Sequence, residues 1–207
     1  SEITIRRILR NFRKSGKVKK GLTWSTFIKT HIQKLFAMDF FTVDPLFGNK
    51  RYYVFFIMYL ATREIVQFSI TTNPDYSFVR HQLCEFSYNY DSAPYLIHDG
   101  TGEFTSQDYK SLGIRNIKIS PNSPNMNAHA ERFIGSVRRE LLDNFIIFSY
   151  DQLFSLMKEY IFYFNNLRPH QGINQQTPLG YIPETEGKII QVPVLGGLWH
   201  HYTRVAA

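Results

Sequence analysis

The chain has 207 residues, of which 43% are hydrophobic and 16% aromatic, and this composition is typical of a globular protein with a sizeable core. Its single cysteine, Cys84, excludes an internal disulfide framework and a cysteine-rich zinc site. The longest apolar run, residues 52–61, is too short to span a bilayer, and no signal peptide opens the chain, which favours a soluble intracellular protein.

The net charge of +7 is concentrated at one end of the chain. Residues 1–34 hold ten Lys/Arg and one acidic residue, whereas the rest holds fourteen Lys/Arg and sixteen acidic residues. A basic arm on a nearly neutral body indicates a polyanionic partner, nucleic acid first, and a solvated arm that serves solubility fits the charge equally well.

The arm itself begins with an amphipathic pattern. Its apolar residues recur at i, i+3, i+4 and i+7, which predicts a helix with a basic opposite face: Ile5, Ile8, Leu9 and Phe12. A Lys/Gly-rich linker follows. Because a lone amphipathic helix must pack on something and the chain starts with Ser1, we interpret residues 1–34 as the end of a truncated DNA-binding domain.

The next part of the chain alternates strand and helix patterns. Aromatic and β-branched segments predict strands, and apolar residues at helical spacing predict helices. The strands are predicted over 35–43, 51–60, 64–72, 94–98 and 114–119, and the helices over 75–90, 105–112, 128–142 and 150–167. This order predicts an α/β domain over residues 35–168, with a mixed five-stranded sheet and helices on both faces, followed by a C-terminal extension over 169–207.

Three carboxylates lie where this layout could bring them together. Asp39 lies inside a buried strand, Asp99 follows a strand at the edge where α/β sheets form sites, and Glu131 lies in the first turn of a helix. Each also has a purely structural explanation: a paired core acid, a turn former before Gly100, and an acid favoured by the helix dipole.

Taken together, the three acids indicate a metal site. Carboxylates about 4 Å apart repel by roughly 4 kcal/mol per pair, so such a cluster persists only if it shares protons or binds cations. Hard oxygen ligands favour Mg²⁺ or Mn²⁺, and two such ions can drive attack at a phosphodiester.

Six stretches, in this order, carry a resemblance to a known family. They are MDFFTVD (38–44), RYYVFFIMYLATREIV (51–66), LIHDGTGEFTS (96–106), SPNMNAHAERFIGSVRREL (123–141), YFNNLRPHQGINQQTP (163–178) and PVLGGLWHHY (193–202). From about Trp24 to its end, the chain resembles the integrase-core transposases of bacterial insertion sequences, which are relatives of retroviral integrases with a ribonuclease-H-like fold.

The resemblance implies roles for the three acids. The family's Asp-Asp-Glu triad falls on Asp39, Asp99 and Glu131, which implies a polynucleotidyl transferase with two Mg²⁺ or Mn²⁺ ions per active site when DNA is bound. Gly100-Thr101-Gly102 departs from the family, since many relatives carry Asn-Gly or a second acid after this aspartate. The zinc-binding His/Cys module of retroviral integrases is absent from this sequence.

Further residues are candidates for DNA contact. Arg138, seven residues after Glu131 and on the same helix face, resembles a family position that contacts DNA phosphate, and a surface ion pair is an equal alternative. Asn125 and Asn127 either cap the helix or contact the DNA end, with capping favoured. The candidates in the arm are Arg6, Arg7, Arg10, Arg13, Lys17, Lys19 and Lys20.

Several residues near these motifs are interpreted as structural. Pro169 ends the last core helix and Arg168 could bond its final carbonyls. His98 and His129 are expected to pack, and Asp44 to form a turn. The aromatic residues Trp199 to Tyr202 could stack on DNA or pack on the core.

The sequence therefore predicts a DNA transposase that cleaves element ends and transfers strands. The alternatives are a ribonuclease H or junction nuclease of the same fold, and a catalytically decayed, DNA-binding relative. Because two element ends join one target, and because the last core helix carries many aromatic residues, we expect at least a dimer on DNA. The aromatic residues of this helix are Tyr160, Phe162, Tyr163 and Phe164. The expected location of the protein is the bacterial cytoplasm, in association with the nucleoid.

Overall fold

A computed structural model describes residues 24–48, 50–90, 93–99, 105–119, 127–182 and 184–205. The chain divides into two compact units, Ser1–Ile32 and Gln33–Ala207. In the first unit, helix α1 spans Trp24–His31. The predicted basic helix and its DNA-binding candidates, Arg6 to Lys20, lie outside the described residues. Among the helices described, none is long and apolar enough to cross a membrane.

The second unit is built on a five-stranded sheet. Its strands are β1 (Leu35–Val43), β2 (Tyr52–Tyr59), β3 (Ile65–Thr71), β4 (Tyr95–His98) and β5 (Arg115–Lys118). The strand order is β3-β2-β1-β4-β5, with antiparallel pairing from β3 to β1 and parallel pairing from β1 to β5. The predicted mixed five-stranded sheet is confirmed, and each strand lies within a segment that the aromatic and β-branched pattern predicted.

Helices cover both faces of this sheet, as predicted. They are α2 (Tyr76–Asn89), α3 (Ser106–Ser111), α4 (Ala128–Glu140) and α5 (Tyr150–Asn166). On one face, α2 and α3 pack against Met38 and Phe55 of the sheet. On the other face, Phe133 of α4 packs on Phe56, with ring centroids 4.7 Å apart. Because side chains alternate along a strand, Asp39 faces the opposite side of β1 from Met38, which is the side of α4.

The C-terminal extension forms a β-hairpin that the sequence did not predict. Strand β6 (Lys188–Val194) pairs antiparallel with β7 (Trp199–Val205). Trp199 anchors the hairpin, because its indole Nε1 donates to the Glu140 carbonyl at 2.8 Å and its ring stacks on Tyr163. Of the two alternatives for the aromatic segment, packing on the core applies to Trp199, whereas Tyr202 is 62% exposed.

The aromatic surface expected on the last core helix is largely absent. Tyr160 and Phe164 of α5 are 0% and 4% exposed, and Phe164 meets Phe133 edge to face. Phe162, at 58%, is the exposed member of the four aromatic residues. The expectation of an apolar partner surface from these residues was therefore wrong, because α5 is covered on one side by α4 and β3 and on another by the hairpin.

Candidate active site

Asp39 lies in the middle of β1, paired in register with Phe56 of β2. Its Oδ1 accepts a hydrogen bond from the Phe40 backbone N–H at 2.8 Å, and its Oδ2 accepts one from Asn127 Nδ2 at 3.0 Å. Burial raises the pKa of the Asp39 carboxyl to about 7, against the lowering effect of the Phe40 hydrogen bond. The negative charges of Asp99 and Glu131 contribute to this rise.

The other two acids approach Asp39 from neighbouring elements. Ala37 of β1 pairs with Ile97 of the parallel strand β4, so Asp39 and Asp99 each lie two residues beyond this pair. Glu131 lies in the first turn of α4, where its backbone N–H donates to the Asn127 carbonyl at 3.1 Å. Asp99 and Glu131 are exposed, and both act on the charge of Asp39. The fold thus makes the three predicted acids electrostatic neighbours.

The donor chemistry of this cluster fits a hard divalent cation. Carboxylate oxygens are the ligands that Mg²⁺ and Mn²⁺ prefer, and the crowded charge of Asp39 is what a cation would neutralise. Within the described residues, no three His, Cys, Asp or Glu side chains form a group that could hold a metal ion. Residues 100–104 and 120–126, which adjoin Asp99 and the start of α4, are outside that description.

Comparison with known proteins shows what the chain is similar to. A family model described as "Integrase core domain" matches residues 112–178, a segment that includes Glu131. An uncharacterized protein of insertion element IS476 from Xanthomonas euvesicatoria is 26% identical over 147 residues, or 69% of this chain. The chain spans 42% of the length of that relative. The chain is therefore similar to integrase cores and to a protein of a bacterial insertion element.

Solved structures of retroviral proteins share its fold. One match is a chain in the intasome of simian T-cell lymphotropic virus, solved in complex with a PP2A regulatory subunit. The match covers 84% of this chain and 67% of the intasome chain. The TM-score is 0.53 and the identity 14%. A second match is the catalytic core domain of BIV integrase, with a TM-score of 0.51 and 14% identity. This match covers 71% of this chain and 91% of the BIV chain. The expected ribonuclease-H-like fold and the resemblance to insertion-sequence integrase cores are confirmed.

Asn127 has a role different from the favoured one. It occupies the N-cap position of α4 but makes no side-chain capping hydrogen bond. A cap would need its Oδ1 to accept from the first N–H groups of the helix. This Oδ1 is buried without a hydrogen-bond partner in the described part of the chain, because the side chain is turned so that Nδ2 donates to Asp39. The capping interpretation was therefore wrong for Asn127. Asn125 lies outside the described residues.

Arg138 and Asp44 lie at the far end of α4 from Asn127. Arg138 is exposed and lines a shallow cleft with Asp44, and it makes no ion pair among the described residues. Asp44 follows β1 and accepts two hydrogen bonds from Arg51, at 2.6 and 3.1 Å, which lower its pKa. Its carboxylate is thus already paired with a cation, unlike that of Asp39.

Arg168 bonds the end of α5 and also extends to α4. Its backbone N–H donates to the Tyr163 carbonyl at 2.8 Å, in keeping with the predicted bond to the last helix carbonyls. Its guanidinium donates to both carboxylate oxygens of Glu140, at 2.9 and 2.6 Å, which was not predicted. His170 Nε2 lies 2.9 Å from the Phe164 carbonyl in the last turn of α5.

Two buried polar residues near the site have structural roles. His98, 3% exposed, stacks on Tyr109, and burial lowers its pKa to about 4, in keeping with the predicted packing role. Asn165 was not predicted: its side chain bonds both the N–H and the C=O of Ile65, each at 2.9 Å. The buried amide therefore ties the end of α5 to the start of β3. In the sequence, the adjacent asparagines Asn165 and Asn166 near the end of the helix were the signal that could have indicated this role.

The raised pKa of Asp39 predicts that Asp39→Asn stabilises the metal-free protein at alkaline pH. Between the unfolded value of 3.8 and about 7, folded Asp39 keeps a proton that the unfolded chain has lost, so wild-type stability falls as pH rises. At pH 8 in EDTA, we expect the variant to be more stable by up to about 4 kcal/mol, and near pH 4 the difference should vanish. Asn127 can rotate its amide so that Oδ1 accepts from the new side chain. Urea unfolding at both pH values measures the effect.

Asp44→Asn is the matched control for this measurement. It makes the same chemical change at an exposed carboxylate whose pKa is lowered, so it should give no stabilisation at pH 8. A gain for Asp39→Asn that is equal at pH 4 and pH 8 would contradict the electrostatic explanation.

Proposed function

We propose that this chain is the catalytic domain of a DNA transposase, which cleaves element ends and transfers strands with Asp39, Asp99 and Glu131. The register of β1 and β4, in which Asp39 and Asp99 each lie two residues beyond the Ala37–Ile97 pair, carries the proposal. The effect of the Asp99 and Glu131 charges on the pKa of Asp39 supports it. The family match over residues 112–178 supports the same reaction class. We assign Mg²⁺ or Mn²⁺, two ions per site with DNA bound, to these three carboxylates.

The chain's own residues prepare the site for that chemistry. When bound, the divalent ions would activate a water or hydroxyl nucleophile and stabilise the leaving oxygen, which makes a covalent protein intermediate unnecessary. Phe40 N–H and Asn127 hold the two oxygens of Asp39, so the carboxylate has a fixed orientation. Since Asn127 also begins α4, its hydrogen bond links the position of Glu131 to that of Asp39.

A strand-transfer assay tests this function against its alternatives. The substrates are a short duplex with an element end, an RNA–DNA hybrid and a four-way junction, each with Mg²⁺ or Mn²⁺. We expect nicking and joining of the duplex end. Cleavage confined to the hybrid or the junction would support a ribonuclease H or junction nuclease, and binding without any cleavage would support a decayed transposase.

The basic arm is proposed to neutralise DNA phosphates. Replacing Arg6, Arg7, Arg10 and Arg13 with Gln should weaken binding to all sequences alike. The slope of log affinity against log salt should flatten by about 0.9 for each phosphate that the arm no longer neutralises. Fluorescence anisotropy over a salt series measures the slope. Arg80→Gln, at an exposed position of α2, is the control, and an unchanged slope in the arm variant would assign the arm to solubility.

Arg138 and Asn125 are proposed to contact DNA near the triad.

We further propose that two copies act together on DNA in the bacterial nucleoid. One core offers one triad, and two element ends joined to one target need two, which a two-fold assembly provides. Of the four aromatic residues of α5 on which the expectation of a partner surface was based, Phe162 is the exposed one. Light scattering with paired end duplexes should show at least a dimer, and concerted joining by a one-protein, one-duplex species would overturn it.

A further inference from the structure

A cavity lies beside α4, and its lining residues are on a face of the helix different from that of Glu131. Its volume is about 560 Å³, and none of Asp39, Asp99 and Glu131 lines it. Arg132, Ser136 and Arg139 of α4 line it at i, i+4 and i+7, the spacing of one helix face. Four guanidinium groups converge here, contributed by Arg63, Arg132, Arg139 and Arg168.

Among the described residues, one of these four arginines has an acidic partner and three do not. Arg168 pairs with Glu140 at 2.6 Å. Arg63, Arg132 and Arg139 form no ion pair within the part of the chain that the structure describes. Burial lowers the pKa of Arg63, and the charge of Arg132 lowers it further. Like charges held together in a partly buried cavity are costly unless an anion compensates them.

The backbone of the turn between β2 and β3 holds Arg63 in place. Arg63 has a φ of 72°, in the left-handed region, which is strained for a residue other than glycine. Its backbone N–H donates to the Tyr59 carbonyl at 2.9 Å, which closes the turn. Nη1 of its side chain is buried, with no hydrogen-bond acceptor among the described residues. A strained turn thus presents a buried donor that lacks an acceptor.

The opposite wall leaves room for a second guanidinium. Gly135 of α4 lies beneath Arg139, and a β-carbon at this position would approach Arg139 Nη1 to 3.0 Å. The absence of a side chain therefore lets the guanidinium lie along the helix. Phe133 and Phe164 line the cavity as well, and their apolar surface strengthens any electrostatic contact made there.

The remaining polar residues of the cavity are hydrogen-bonding groups without a negative charge. They are His129, Ser136, Gln171 and Gln175. Among the described residues that line the cavity none is acidic, and Glu140, which does not line it, is paired with Arg168. The site therefore suits a compact ligand with more than one negative charge.

We propose that this cavity binds a phosphate group, supplied either by the backbone of DNA or by a free polyphosphate. Planar guanidinium groups match tetrahedral phosphate oxygens through paired N–H donors. The three arginines that form no ion pair among the described residues also carry more positive charge than a single carboxylate would neutralise. The inference goes beyond the proposed strand transfer and does not require it, because it depends on the arginine cavity alone.

Calorimetry with pyrophosphate as the probe tests the site, without divalent metal and without DNA. The full chain should bind pyrophosphate, and Arg63→Gln and Arg132→Gln should each weaken binding by about tenfold. Arg63→Lys keeps the charge but loses the paired donors, so it should give an intermediate loss. Arg80→Gln on α2 removes the same charge on the other face of the sheet and should leave the affinity unchanged.

Several outcomes decide the proposal. No heat of binding at millimolar pyrophosphate would overturn it, and so would equal weakening by Arg80→Gln. Arg132 is exposed on α4, so its variant remains informative if Arg63→Gln fails to fold, which thermal melting checks. Adding a DNA duplex then identifies the source: displacement of pyrophosphate supports the site with backbone phosphate as its ligand, and simultaneous binding supports it with a free polyphosphate. Since the probe needs neither metal nor DNA, its failure is separate from a failure of strand transfer.

Discussion

Asp39→Asn, Asp99→Asn and Glu131→Gln are each expected to abolish DNA end cleavage and strand transfer, with a rate loss of at least about 10³-fold. Each change removes one charged oxygen donor from a site proposed to hold two cations, and the stabilisation of charge in the transition state is lost with it. DNA binding should survive or tighten, because a negative charge facing phosphate is removed. Gel-based assays of both steps, with DNA affinity measured in parallel, test the expectation.

The control for this series is Asp44→Asn. Asp44 is the nearest acid to Asp39 along the chain, but its carboxylate is exposed and bonded to Arg51, so activity should remain within about twofold. Asp39→Asn should also remain folded at neutral pH, since burial already disfavours the charge of this group. Full activity in any of the three variants would remove that residue from the proposed triad.

Arg168→Met is expected to destabilise the domain by about 3–5 kcal/mol. The Arg168 and Glu140 side chains are 25% and 15% exposed, and they join α4 to the residues after α5 through two hydrogen bonds. Removal of the arginine leaves a partly buried carboxylate with the Tyr160 hydroxyl as its remaining side-chain partner among the described residues, and such an uncompensated charge is costly. Urea unfolding at pH 7 measures the loss.

The surface pair Arg51–Asp44 provides a matched comparison. Its geometry is also bidentate, with bonds of 2.6 and 3.1 Å, but its side chains are 53% and 64% exposed. Arg51→Met should therefore have little effect on the free energy of unfolding, because solvent screens this pair. Adding Glu140→Gln to Arg168→Met should recover part of the loss, because the double variant leaves no charge buried. A loss for Arg168→Met as small as that for Arg51→Met would show that burial contributes nothing to this pair.

Local patterns in the sequence were sufficient for the elements of the core. Strand β1 was predicted with the bounds that the structure has, Leu35–Val43, and α4 was predicted from its apolar spacing. These predictions succeeded because the side-chain period of a strand or helix is a property of consecutive residues. The order of strands and helices then led to the mixed sheet, and the motifs pointed to Asp39, Asp99 and Glu131.

Contacts between distant parts of the chain were decided only by the tertiary structure. The β6–β7 hairpin was not predicted, because its strands are mostly exposed and are held by one tryptophan, Trp199, that reaches Glu140. Neither was the hydrogen bond of Asn127 to Asp39, 88 residues away, for which a local capping role was the alternative.

The arginine cavity is the clearest example of a site that sequence patterns could not predict. Arg63 and Arg132 lie in two separate stretches of the family resemblance, 51–66 and 123–141, and no local pattern connects them. Their convergence depends on how α4 packs on the sheet and on the left-handed turn at Arg63. Sequence by itself determined the elements and the acids, since both are local signals. Packing determined which side chains meet, because the choice of partner depends on the angles and distances between elements, which no local period encodes.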